Sequence, residues 1–139
     1  MSKLEKIKAE LHYNEPTPFC CEVALNSGYD VSPQQVHTVM YNLGLVDWQG
    51  DPTYKATMLG LPNSNKITTL IGTVAEASYN IQSNYDCMMY AQYLCSSTEP
   101  HSQGYEEATD TIQVNTHNIN SWLMAYNEAY SKLLIIINN

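Results

Sequence analysis

From Lys66 onward an apolar residue returns every seven positions, at Ile67, Val74, Ile81, Met88 and Cys95. Leu70, Ala77 and Ala91 fill the complementary positions, with the polar Asn84 among them. A sustained repeat of seven is the pattern of a helix that holds one seam against a partner. Gly72 inside that helix is expected to cost about 1 kcal/mol relative to alanine. A polar loop from Ser96 to Gly104 ends the run. A second seam then begins near Tyr105 and passes through Ile112, Thr116, Ile119, Leu123, Tyr126, Tyr130, Leu133 and Ile137. Two long helices on a short loop predict an antiparallel hairpin over 66–139. The run from Leu133 to Ile137 is apolar nearly all round, so it must be covered by the N-terminal lobe or by a second copy. Ile112, Ile119, Leu123, Tyr126, Tyr130, Leu133 and Ile137 are therefore the expected oligomer interface, and a homodimer is the expected assembly.

Ahead of the hairpin, residues 1–62 read as a small helical lobe. Leu4, Ile7 and Leu11 make one apolar stripe, which predicts a helix over 3–12. Pro16 breaks it. Thr17-Pro18 and Ser32-Pro33 are two copies of one start signal, a capping hydroxyl followed by proline at the first helical position. Gln35 completes a capping box with Ser32. Phe19, Cys20, Cys21, Val23 and Ala24 are expected inside on the first of these helices, and Val36, Val39, Met40 and Leu43 on the second. Gly28 and Gly44 close them. Leu45 to Trp48 reads as a short strand, Gln49 to Pro52 as a turn, and Thr53 as the cap of a short helix ending at Gly60. Two capped helices about a tight turn are the layout of a helix-turn-helix unit.

Such units commonly bind DNA, and charge argues against that here. The 139 residues hold six lysines, no arginine and fourteen acidic residues, for a net charge of -8. Duplex binders gain most of their affinity by neutralising phosphates. With 44% hydrophobic residues the chain is an ordinary globular sequence. No apolar run approaches the roughly 20 residues that span a bilayer. MSKLEKIKAEL is not a secretory signal, because charged residues interrupt it. Cys20, Cys21, Cys87 and Cys95 have the spacing of neither a disulfide framework nor a zinc site. Reduced thiols in a protein of the cytoplasm are expected. Eleven tyrosines stand against one phenylalanine, which suits either half-buried core edges or a protein interface.

No catalytic constellation emerges. His12, His37, His101 and His117 are far apart and lack the helical zinc spacing. There is no glycine-rich phosphate loop and no nucleophile elbow. Glu106, Glu107 and Asp110 form an acidic first turn that complements the helix dipole and offers only a weak metal site. The chain is read as non-enzymatic, with no cofactor and no metal. The exposed side of the second helix, with Gln34, Gln35, His37, Thr38, Tyr41 and Asn42, is the first candidate for partner binding. Trp48 and the acidic group Glu106, Glu107 and Asp110 come next.

Gly28-Tyr29, Leu43-Gly44-Leu45, Pro52-Thr53-Tyr54-Lys55-Ala56 and Gly60-Leu61 occur in the order of a known pattern. Residues 23–61 resemble the C-terminal domain of phage antirepressors, the KilA-C type. The resemblance implies a winged-helix-like lobe and a phage or prophage origin. The family's arginines are absent, and a long helix stands where its basic, threonine-rich return strand would follow.

The fold expected is mainly α: a helix-turn-helix or winged-helix-like lobe over 1–62, then a long antiparallel helical hairpin over 66–139. The function expected is that of a non-enzymatic phage-type regulatory or counter-defence protein. It would bind and inhibit a repressor or a host nucleic-acid-handling complex in the host cytoplasm, in the manner of an antirepressor or anti-CRISPR inhibitor. The alternative is a sequence-specific DNA-binding regulator using the 33–43 helix, where glutamine and asparagine can read adenine without charge. A third possibility is an assembly module whose oligomer state the hairpin sets.

Overall fold

A computed structural model describes residues 16–138, so the helix expected over 3–12 lies outside the described residues. Five α-helices follow in order: α1, Pro18–Asn26; α2, Pro33–Asn42; α3, Tyr54–Met58; α4, Asn65–Ser97; and α5, Gln103–Asn138. The chain is mainly helical and ends in a long helical pair, as the heptads require. It packs as two compact units. The described part of the first covers 16–76 and 128–138, and the second is Ala77–Asn127. The division falls inside both long helices, and the expected boundary at 62–66 lies within the first unit.

In the first unit the start signals act as their residues predict. The Thr17 hydroxyl accepts a hydrogen bond from the Cys20 N–H at 3.2 Å. The Ser32 hydroxyl accepts from the Gln35 N–H at 3.2 Å, and the Gln35 side-chain oxygen accepts from the Ser32 N–H at 2.6 Å. Both partners of that box satisfy backbone donors that the first turn leaves orphaned. Gly28 (φ +78°) and Gly44 (φ +74°) take the left-handed conformation that ends each helix. Cys20, Val23 and Ala24 of α1 are buried, as are Val36, Val39 and Met40 of α2. Cys21 was expected inside and is exposed. It follows Cys20 by about 100° round the helix, off the face that Cys20, Val23 and Ala24 share. Leu43, Leu45, Val46, Ala56, Leu61, Ile67, Ile71, Val74, Ala75, Ala129, Leu133 and Ile137 are the other buried apolar residues described in this unit.

The strand expected from Leu45 to Trp48 is not formed. A single antiparallel bridge joins Val46 to Pro52, and no strand occurs among the described residues. A wing needs a ladder, and Pro52 has no N–H to extend one. A closed loop takes its place. The Asp47 carboxylate accepts from the N–H groups of Gln49 and Asp51, each at 3.0 Å. Thr53, expected as a cap, makes no side-chain cap on α3; its hydroxyl donates to the Gly44 carbonyl at 2.7 Å.

Gly72 has a packing role that propensity does not reveal. A Cβ built there would lie 2.6 Å from the Ser27 Cβ and 2.9 Å from Tyr29 Cδ2. α4 thus approaches the turn after α1 closely enough that only glycine fits. The Thr68 hydroxyl, one turn earlier on the same helix, donates to the Asn26 carbonyl at 3.4 Å.

The second unit is the hairpin's paired segment and loop. Asn118 donates to Asn84 at 3.2 Å, Thr116 to Met88 Sδ at 3.5 Å, and Cys95 lies 3.8 Å from the Thr109 hydroxyl. The partner number falls as the first rises, which fixes an antiparallel register. The seam is thin: the apolar side chains buried in this unit are Ala77, Ala91 and Ala108. Ile81, Met88, Ile112 and Ile119 are only half-buried.

Candidate functional site

α2 offers a narrower surface than its sequence suggests. Gln34, Thr38, Tyr41 and Asn42 are exposed, and their spacing puts them on one helical face. Gln35 is half-buried and its side chain is used in the capping box, so it is withdrawn from partner reading. His37 is buried at 6% exposure. It follows Val36 and precedes Val39 and Met40 on the core side. A Cβ added to Gly50 would meet both its ring and Thr17, at 3.3 and 3.0 Å, which shows how closely the 47–51 loop covers it. His37 is therefore a core residue and not part of an exposed contact face. Trp48 stands on that loop, 42% exposed.

The acidic first turn of α5 does not form one patch. Glu106 and Asp110, four apart, border a shallow pocket with His101, Tyr105 and Thr109. Glu107 is turned about 100° from Glu106 and borders a larger groove. That groove encloses about 630 Å³ and lies wholly within the second unit. Asp86, Cys87, Tyr90 and Leu94 of α4 face Glu107 and Ala108 of α5 across it. It exists because Ala91 and Ala108, both buried, stand where larger side chains would fill the space between the helices. Its carboxylates are held by neutral amides. Gln82 donates to Asp86 at 2.9 Å, and Gln103 donates to Glu107 at 3.2 Å. Neither bond cancels charge.

Asp86, Cys87, Tyr90 and Leu94 had no assigned role in the sequence. The available signal was an absence: no lysine or arginine lies between Lys66 and Lys132. Within Ala77–Asn127 the ionisable acids are Asp86, Glu99, Glu106, Glu107 and Asp110, with no lysine or arginine to balance them. The same unit exposes Tyr79, Tyr85, Tyr90 and Tyr93 at 46–65% of their surface, and Met124 at 74%.

The seam expected as an oligomer interface divides likewise. Leu133 is fully buried and Ile137 is 8% exposed within one chain, as members of the first unit's core. They are not available to a second copy, because the chain itself covers them. Ile112, Ile119, Tyr126 and Tyr130 are half-buried, and Leu123 is 38% exposed.

The Cys20 thiol is buried and its titration is displaced. Burial pushes its thiol above the ordinary value of 9.0, against the lowering effect of its hydrogen bond with Thr17. Its sulfur donates to the Gly50 carbonyl at 3.6 Å. A buried, protonated thiol is a poor nucleophile. Among the described residues no group of three or more His, Cys, Asp or Glu side chains is placed to hold a metal ion. No helix among them is long and apolar enough to cross a membrane. The chain matches no protein-family model, no curated protein and no solved structure.

Proposed function

We propose that this chain is a non-enzymatic, phage-type regulatory or counter-defence protein of the host cytoplasm. It binds a repressor or a host nucleic-acid-handling complex and blocks it by occupying a cationic surface meant for nucleic acid. The observation that supports this most is the second unit, which carries five acidic residues and several exposed tyrosines and holds no lysine or arginine. Such a unit is drawn to a basic groove by long-range attraction and then gains contact area from its rings. The same charge is repelled by phosphate.

Capture from the native host, followed by mass spectrometry, identifies the partner. The chain then displaces duplex from that partner, and displacement weakens as salt rises beyond about 0.1 M, where charges are screened within about 10 Å. Displacement that is insensitive to salt overturns the groove-occupying reading. One observation favours a second reading, a DNA-binding regulator: Gln34, Thr38, Tyr41 and Asn42 form a contiguous exposed face of α2. A gel shift on random and operator-like duplex at low salt separates the two. Retention of duplex by micromolar protein supports the regulator.

A further inference from the structure

We infer that the groove between α4 and α5 in the second unit is the docking site for a cationic amphipathic helix of the partner protein. The inference rests on the function proposed above and names the surface that carries it.

The groove is apolar at its base and acidic at its rims. Buried Ala91 and Ala108 leave room at its base, and half-buried Leu94 lines it. Tyr90, 65% exposed, is a ring standing at its side. Asp86 approaches from α4 and Glu107 from α5, so the two carboxylates come from opposite walls. An occupant that matches this arrangement has one row of leucine-like side chains to fill the base. It has lysine or arginine on both flanks to reach Asp86 and Glu107. A helix presents such rows naturally, with apolar residues three and four apart and cations beside them. A second copy of this unit is disfavoured as the occupant, since it would bring five more acidic residues and no lysine or arginine. Like charges set opposite one another in an interface are costly.

Cys87 makes the site directly readable. It lies in the groove and is an exposed free thiol, while Cys21, also exposed and free, belongs to the other unit and serves as an internal control. The test uses the full chain and a synthetic amphipathic helical peptide with leucines on one face and lysines on its flanks. Two control peptides carry glutamate in place of lysine, or the same composition in scrambled order. Alkylation of each cysteine is followed by mass spectrometry, and affinity by fluorescence anisotropy.

The lysine peptide is expected to slow alkylation of Cys87 and to leave Cys21 unchanged. The double variant Asp86→Asn, Glu107→Gln is expected to weaken binding by about tenfold, since it removes two charges that steer and hold the peptide. Tyr90→Ala weakens it with the charges intact. Both changes are at exposed positions, and circular dichroism checks that helicity is kept. Equal binding of the scrambled peptide overturns the inference, because charge alone then suffices. So does peptide binding that leaves Cys87 unprotected. Protection of Cys87 by rising protein concentration alone also overturns it, and makes a second copy the occupant. If the peptide fails while the chain still displaces duplex from its captured partner, the groove is refuted and the functional reading stands. If the peptide protects Cys87 and no captured partner loses duplex, the groove stands and the functional reading falls.

Discussion

A single methyl group added at Gly72 would have to displace Ser27 and Tyr29, whose atoms lie 2.6–2.9 Å from where it would sit. Helix propensity alone makes Gly72→Ala stabilising by about 1 kcal/mol. Overpacking typically costs about 1–3 kcal/mol, and it wins here because the obstructing Ser27 Cβ is fixed to the backbone of a tight turn. Gly72→Ala is expected to lower stability, read as a reduced urea midpoint at unchanged slope. At the same scale the cysteines separate by burial. Cys21 and Cys87 are exposed, Cys95 is intermediate and Cys20 is buried with a raised thiol pKa. Alkylation at neutral pH should therefore reach Cys21 and Cys87 first, and Cys20 only after denaturant is added. Rapid modification of Cys20 in the native protein would contradict its placement.

Among the elements, α2 depends most visibly on its first residues. Ser32→Ala removes the hydroxyl that caps the Gln35 N–H and should cost about 1 kcal/mol, measured by thermal or chemical unfolding. The two long helices are unequal along their length. Leu133 is fully buried in the first unit, whereas Leu123, ten residues earlier on the same helix, is 38% exposed. Leu133→Ala should cost about 2–5 kcal/mol. Leu123→Ala should stay within about 0.5 kcal/mol unless a partner covers it. Amide hydrogen exchange should follow the same gradient, with 77–127 exchanging faster than 65–76 and 128–138. The cause is that alanines are the only apolar side chains buried in the second unit, so local opening there exposes little.

At the scale of the molecule, charge governs behaviour. A net charge of -8 with no arginine sets the sign of every long-range encounter. Association with a basic partner should be fast at low salt and slow markedly as salt is added, while dissociation changes less. Stopped-flow rates at two ionic strengths check this. An association rate indifferent to salt would mean that the acidic unit does not guide binding.

Helix starts and stops were legible along the chain because they are local. Thr17-Pro18, Ser32-Pro33-Gln34-Gln35, Gly28 and Gly44 act through backbone groups within a turn of themselves. The long helical pair was equally legible, since a repeat of seven over some thirty residues has few other solutions. What the tertiary structure alone decided is which faces remain open. It buried His37 beneath the 47–51 loop and set Glu107 at the groove between α4 and α5. It drew Leu133 and Ile137 into the chain's own core, and it stopped the expected wing at one bridge beside Pro52. The groove belongs to this second class. Ala91 reads in sequence only as a seam position and Ala108 carries no signal, and the antiparallel register, shown by Asn84 with Asn118 and Cys95 with Thr109, brings them together in the groove that Asp86 and Glu107 line. Local signals reach about one helical turn; the pairing of distant residues is set by packing, and surface chemistry follows from that pairing.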